Sequence, residues 1–175
     1  PIAIARITEE HLSQNPKELQ EFRKRGRILL SDVRAMKDEE ILEKLNQIGL
    51  ELTRETLGEL CRNHISAVKL SGCLIKKWNL HLQNAEDDLS WMGIAMLWKR
   101  WFPEIPSLEM LDDSMQDGYK LLNQGMAAKA LDEWIRAWDI IKKLMSGHDV
   151  PDIESFDEIF LGTQSVFNWS TDFDM

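Results

Sequence analysis

The fold of this chain is decided by residues 107–145, which read SLEMLDDSMQDGYKLLNQGMAAKALDEWIRAWDIIKKLM. Ser107 is a favoured helix N-cap residue, and apolar side chains recur after it at helical spacing. Gly125 falls where the first helix should end, and a second apolar series begins near Met126. The stretch therefore predicts a helical hairpin, with one helix after Ser107 and another running from about Met126 to Met145.

The rest of the sequence also predicts helices. Residues 88–102 are apolar on all sides, which is typical of a buried helix, and Pro103 stops it. Further helices are predicted to begin at Asn15, Asp38, Thr53, Ser66 and Asp152. No stretch alternates Val, Ile and Thr as a strand would. We therefore predict an all-α fold of about seven to nine helices in a single domain, residues 1–175, with hinge points at 79–87 and 103–106.

Charge is divided unevenly along the chain. The 175 residues hold 21 Lys and Arg against 30 Asp and Glu, a net charge of −9. Residues 1–80 carry a net charge of +2 and residues 81–175 carry −11, and six of the seven Trp lie in the acidic part. An acidic surface repels phosphate, which disfavours nucleic-acid binding there. The one basic run, residues 23–27, either contacts nucleic acid or an acidic surface, or forms a solvated helix end beside Gly26; we favour the helix-end interpretation.

Composition also indicates the cellular compartment of the protein. The chain has no apolar run long enough to cross a bilayer, so no membrane partner is expected. Two Cys in 175 residues do not form a disulfide framework, which is typical of a reducing compartment. These features predict a cytoplasmic protein.

Residues 111–144 resemble one tetratricopeptide unit, a helix–turn–helix repeat of about 34 residues. The resemblance is carried by Gly118, Leu121, Gly125, Ala130, Trp134 and Ala137. Small residues would let the two helices approach closely, with Trp134 filling the space between them. The sequence departs from the pattern at Ser114, where the family has Trp, and at Lys142, where it often has Pro. The resemblance implies a helical hairpin and a surface that binds peptides.

Residues 88–175 are similar to the region that precedes the SEC-C metal-binding motif in a group of uncharacterised bacterial proteins. The similarity is carried by the strings at 98–101, 106–113, 156–158 and 162–169. It implies a bacterial, cytoplasmic, helical protein. A Cys-rich zinc-binding tail follows in that group, and no residue of this sequence matches it, so no zinc site is carried over.

One Cys/His series has the residue types of a zinc site: Cys61, His64, Cys73 and His81. Cys61 and His64 are three residues apart and fit on one helix face. The alternative interpretation, which we favour, is two buried thiols and two surface histidines. On that interpretation the chain holds no metal.

Four carboxylates follow one another on adjacent helical turns: Glu109, Asp112, Asp113 and Asp117. Such carboxylates can hold Mg²⁺ or act as acid and base. No His or Lys at ligand-like spacing accompanies them, and we favour a solvated helix face. The sequence contains no phosphate-binding loop or hydrolase motif, so we assign no catalytic residue and no cofactor.

The Trp pairs at 98 and 101 and at 134 and 138 have two interpretations. Core packing is the usual one; the other is an aromatic cleft flanked by acids, which would suit a basic, amphipathic peptide. The candidate binding residues are Trp98, Trp101, Glu109, Asp112, Asp113, Asp117, Trp134 and Trp138. We expect a non-catalytic, tetratricopeptide-like protein-interaction module that binds a protein or peptide partner on the acidic, Trp-rich face of helices 88–102, 107–124 and 126–145. The alternative is a metal-dependent enzyme or metal-handling protein that uses the acidic cluster or the Cys/His series.

Overall fold

The structure is a computed structural model that describes residues 2–173. Those residues form helices and connecting turns, without a strand, so the all-α prediction is confirmed. The helices are α1 (Ile2–Gln14), α2 (Pro16–Lys24), α3 (Leu30–Ala35), α4 (Asp38–Gln47), α5 (Arg54–Arg62), α6 (Ala67–Lys77), α7 (Ala85–Trp101), α8 (Leu108–Asn123), α9 (Ala127–Gly147), α10 (Ile153–Ile159) and α11 (Val166–Phe173). These eleven described helices exceed the expected number, because α1 has no clear sequence signal and the chain turns at Gly26 between α2 and α3.

Most helix ends follow the capping residues in the sequence. Four predicted N-caps accept a hydrogen bond from the backbone N–H three residues further on: Thr53, Ser66, Ser107 and Asp152. Gly49 and Gly125 take positive φ angles of 92° and 74° just after α4 and α8. Asn15 is the N-cap of α2 but makes no side-chain cap bond, and Asp38 is the first residue of α4 rather than its cap.

The chain divides into two compact units. One is Ile4–Ile105, and the other is Pro106–Met175 together with Pro1–Ala3. Charge divides at the same boundary: residues 1–105 contain 16 basic and 16 acidic residues, whereas residues 106–175 contain 5 and 14. The second unit therefore carries the whole net charge of −9. Compact units are not by themselves independent folding domains, so the single domain with a hinge at 79–87 stays a prediction.

The Ile4–Ile105 unit is built on α7, which packs against α3, α4, α5 and α6. Its side chains are buried along most of its length, as predicted for residues 88–102. At Gly93 a Cβ atom would lie 3.1 Å from Ile41 and from Leu45, so α4 crosses α7 closely. The indole N–H of Trp98 donates to the carbonyl of Ile105 at 2.8 Å. Trp98 is therefore part of this core.

Two guanidinium groups of the basic run are held by carboxylates of the same unit. Arg23 donates to both carboxylate oxygens of Asp32 at 2.8 Å. Arg27 donates to both oxygens of the buried Asp88 carboxylate at 2.5 and 2.7 Å. These pairs reduce the positive charge that residues 23–27 present to solvent, which fits the favoured helix-end interpretation.

Asp32 gives the unit a pH-dependent contribution to stability. The hydrogen bonds from Arg23, with a further one from the backbone N–H of Leu29, hold the pKa of Asp32 below its usual value of 3.8. A lowered folded-state pKa stabilises the protein above the unfolded-state pKa, and that contribution is lost as pH falls through the folded-state pKa. We expect Asp32→Asn to lower the free energy of unfolding by about 1 kcal/mol at pH 7. Urea unfolding should show a smaller loss near pH 3, and an equal loss at both pH values would contradict this account.

The Pro106–Met175 unit is built on the hairpin of α8 and α9. A Cβ atom on Gly118 would collide with the indole ring of Trp134, so the two helices approach as closely as their small residues allow. Ala130 and Ala137 on α9 are also buried. The indole N–H of Trp134 donates to the carbonyl of Met115 at 3.2 Å. The predicted hairpin packing is confirmed, with Trp134 between the helices.

The last two helices complete this unit. α10 and α11 pack against each other, with Phe156, Val166 and Trp169 buried. The Asp157 carboxylate accepts hydrogen bonds from the backbone N–H groups of Val166 at 2.6 Å and Phe167 at 3.0 Å. A side chain of α10 thus satisfies the free N–H groups at the start of α11 and fixes where that helix begins.

Candidate functional site

Five of the eight candidate binding residues are buried, with at most 7% of their surface exposed: Trp98, Glu109, Asp112, Asp113 and Trp134. A buried side chain does not contact a partner, so these five residues support the fold in this conformation. The solvated-face interpretation is wrong for the first turns of α8, whose three carboxylates face inward rather than toward water.

Asp112 is a buried carboxylate with a structural role. Its carboxylate accepts a hydrogen bond from the backbone N–H of Thr163 at 2.5 Å and one from the Thr163 hydroxyl at 3.2 Å. A fully buried carboxylate requires such donors, because an ionised group without them is strongly destabilising in the interior. Asp112 therefore holds the segment between α10 and α11 against α8.

The other three candidates lie nearer to solvent. Trp101 is half-buried in the Ile4–Ile105 unit, where its indole N–H donates to Asp38 at 2.7 Å and the Arg54 guanidinium lies 5.6 Å from its ring centre. Asp117 is exposed on α8, and Trp138 is half-buried on α9. Of the eight candidate binding residues, Trp138 is the one that lines the groove between α9, α10 and α11.

This groove, which we call the α9–α11 groove, lies between α9, α10 and α11 and has a volume of about 940 Å³. Its lining residues are Trp138, Ile141, Lys142, Met145, Asp152, Ile153, Glu154, Asp157 and Phe167. Five of them are apolar, and we call these the floor of the groove; the other four are charged, and we call these its rim. The volume is within the range of sites that bind ligands in proteins.

The floor of the groove contains a large aromatic side chain that is exposed to solvent. Phe167 keeps 63% of its surface exposed although it is a large apolar side chain. The ring centre of Trp138 lies 6.4 Å from that of the buried Trp169, so Trp138 contacts the core of the unit on one side. Exposed aromatic side chains beside a concave apolar surface are typical of binding sites.

The rim of the groove is acidic. Lys142 is matched by Asp139 on its own helix at 2.8 Å. Among residues 2–173, no ion pair with Lys or Arg holds the carboxylates of Asp152 and Glu154. The backbone N–H of Ser155 donates to Asp152 and lowers its pKa, so this carboxylate stays ionised at neutral pH. The rim therefore presents negative charge around an apolar floor.

The residues of the Cys/His series are not brought together as a metal site. Cys61 is buried, and burial raises the pKa of its thiol to about 12, so it is protonated at neutral pH. The prediction of two buried thiols is wrong for Cys73, which is exposed. A ring nitrogen of His64 lies 2.8 Å from the Leu60 carbonyl. Over residues 2–173, no group of three or more His, Cys, Asp or Glu is placed to hold a metal ion.

Comparisons with known proteins give no functional assignment. No family model matches the chain, and no curated protein and no solved structure matches it. The resemblances to the tetratricopeptide unit and to the region before the SEC-C motif stay predictions. Within the described part of the chain, no helix is both long enough and apolar enough to cross a membrane.

Proposed function

We propose that this protein is a non-catalytic protein-interaction module whose α9–α11 groove binds a basic, amphipathic segment of a partner protein. The observation that carries the proposal is the combination of an exposed apolar floor, including Phe167, with a rim whose carboxylates Asp152 and Glu154 lack cationic partners in the described chain.

The chemistry of the groove defines the partner. Covering the floor with apolar side chains removes Phe167 and Trp138 from water, and buried aromatic residues supply much of the affinity of an interface. The acidic rim, in a unit with a net charge of −9, attracts Lys and Arg and repels acidic segments. A partner segment with apolar side chains flanked by basic ones meets both requirements.

Selection from a library of random peptides tests the proposal. We expect the peptides that bind the full chain to be enriched in Leu, Ile, Lys and Arg, and to lose binding to the Phe167→Ala variant. Leu161→Ala is the matched control, because Leu161 is an apolar side chain of the same unit with 68% exposure and does not line the groove.

Two results would contradict the proposal. One is a selection that enriches no peptides. The other is a set of peptides whose binding is the same for wild type, Phe167→Ala and Leu161→Ala, since these peptides would bind somewhere other than the groove.

A further inference from the structure

A second apolar surface continues from the groove along α9. Leu131 and Ile135 keep 48% and 47% of their surface exposed. They lie seven and three residues before Trp138, and Met145 follows seven residues after it. Residues spaced by three, four and seven share one helix face, so these side chains form a stripe, which we call the α9 stripe.

The α9 stripe is distinct from the face of α9 that builds the core. The core face consists of Ala130, Trp134, Ala137, Ile141 and Leu144, which pack inside the unit. The stripe lies beside this face and spans 14 residues, or about 21 Å of helix. Trp138 and Met145 belong to both the stripe and the groove floor. The α9 stripe therefore leads from Leu131 to the groove and includes one charged residue, Lys142, which lies four residues after Trp138 and pairs with Asp139.

We infer that the partner segment is an amphipathic α-helix of about four turns that lies along the α9 stripe and places a large apolar side chain in the groove beside Phe167. This inference rests on the proposed function and specifies the conformation of the bound segment. A straight stripe with helical spacing matches the apolar face of a second helix. Residues 2–173 contain no strand, so they offer no sheet edge to which an extended segment could be added.

The charged residues beside the α9 stripe determine which kind of partner helix can bind there. Asp132 lies three residues before Ile135, on the outer side of the stripe, and Glu154 lies on the rim of the groove; no Lys or Arg of the described chain pairs with either carboxylate. Lys142, which shares the face of the stripe, pairs with Asp139 on the same helix, and Arg136 pairs with Glu133. A helix with Lys or Arg on both sides of its apolar face complements this pattern. A second copy of the same stripe would bring like charges together.

Two synthetic peptides of about 15 residues test the inference on the full chain. One has Leu at helical spacing and Lys elsewhere, and the other has the same composition in an order without an apolar face. In about 150 mM salt, we expect the first peptide to bind at least about 10-fold more tightly and to gain helical circular dichroism on binding. The double variant Leu131→Ala/Ile135→Ala should weaken its binding about 10-fold. Leu122→Ala is the control, with similar exposure on α8.

The outcomes separate the two proposals. If both peptides bind equally well and Phe167→Ala abolishes their binding, the inference that the bound segment is an amphipathic helix would be wrong. The groove would remain a binding site, as the proposed function requires. If neither peptide binds and the library selection also enriches none, the proposed function fails as well. Self-association of the chain in sedimentation experiments that is lost in Leu131→Ala/Ile135→Ala would show that a second copy covers the stripe, which would also overturn the inference.

Discussion

Replacing Trp134 by Ala is expected to lower the free energy of unfolding by about 3–5 kcal/mol. The indole ring fills the contact between α8 and α9 against Gly118, and its N–H donates to Met115. It also makes edge-on contacts with the rings of Tyr119 and Trp169, at centroid distances of 5.2 and 6.5 Å. Chemical denaturation followed by far-ultraviolet circular dichroism measures the loss without depending on Trp fluorescence.

Ile135→Ala is the control for this prediction. Ile135 follows Trp134 on the same helix but keeps 47% of its surface exposed, so its truncation should change the free energy of unfolding by no more than about 0.5 kcal/mol. A Trp134→Ala variant as stable as Ile135→Ala would show that the ring is not part of the core, and the description of the hairpin would be wrong.

Replacing Asp112 by Ala is expected to cost about 2–3 kcal/mol. The substitution removes the acceptor for the Thr163 backbone N–H and hydroxyl, and leaves these donors in a part-buried site without the carboxylate. The segment that joins α10 to α11 would lose its attachment to α8. Equilibrium urea unfolding of the two proteins gives the difference in stability.

Asp117→Ala distinguishes this role from a general effect of acidic residues on α8. Asp117 carries the same side chain five residues further along the helix, where it is exposed. Its replacement should alter stability by less than about 0.5 kcal/mol. Equal losses in the two variants would contradict a specific structural role for Asp112.

Local signals in the sequence predicted much of the fold. Helix caps such as Thr53, Ser66 and Ser107 act within one turn, so they can be identified from neighbouring residues alone. The hairpin was predicted because apolar and small residues recur at helical spacing on both sides of Gly125, and the structure shows the expected contact of Gly118 with Trp134. α1 was missed because its apolar residues do not follow one face: Ile4 and Ile7 are largely exposed.

The candidate site was harder to predict because it depends on distant parts of the chain. Glu109 and Asp113 have the composition of a solvated face, and only tertiary packing buries them. The groove combines residues of α9, α10 and α11, and of these only Trp138 was predicted. Phe167 carried no clear signal, because residues 162–175 are rich in aromatic side chains but poorly periodic, so the sequence does not indicate which of these side chains are buried.

The most direct test of the account is the affinity of a library-selected basic peptide for the wild-type chain and for Phe167→Ala, measured by calorimetry with Leu161→Ala as the control. If the α9–α11 groove is the binding site, Phe167→Ala should bind at least about 10-fold more weakly, as loss of a central aromatic contact requires, while Leu161→Ala binds like wild type. Equal affinities for all three proteins would contradict the assignment of the groove.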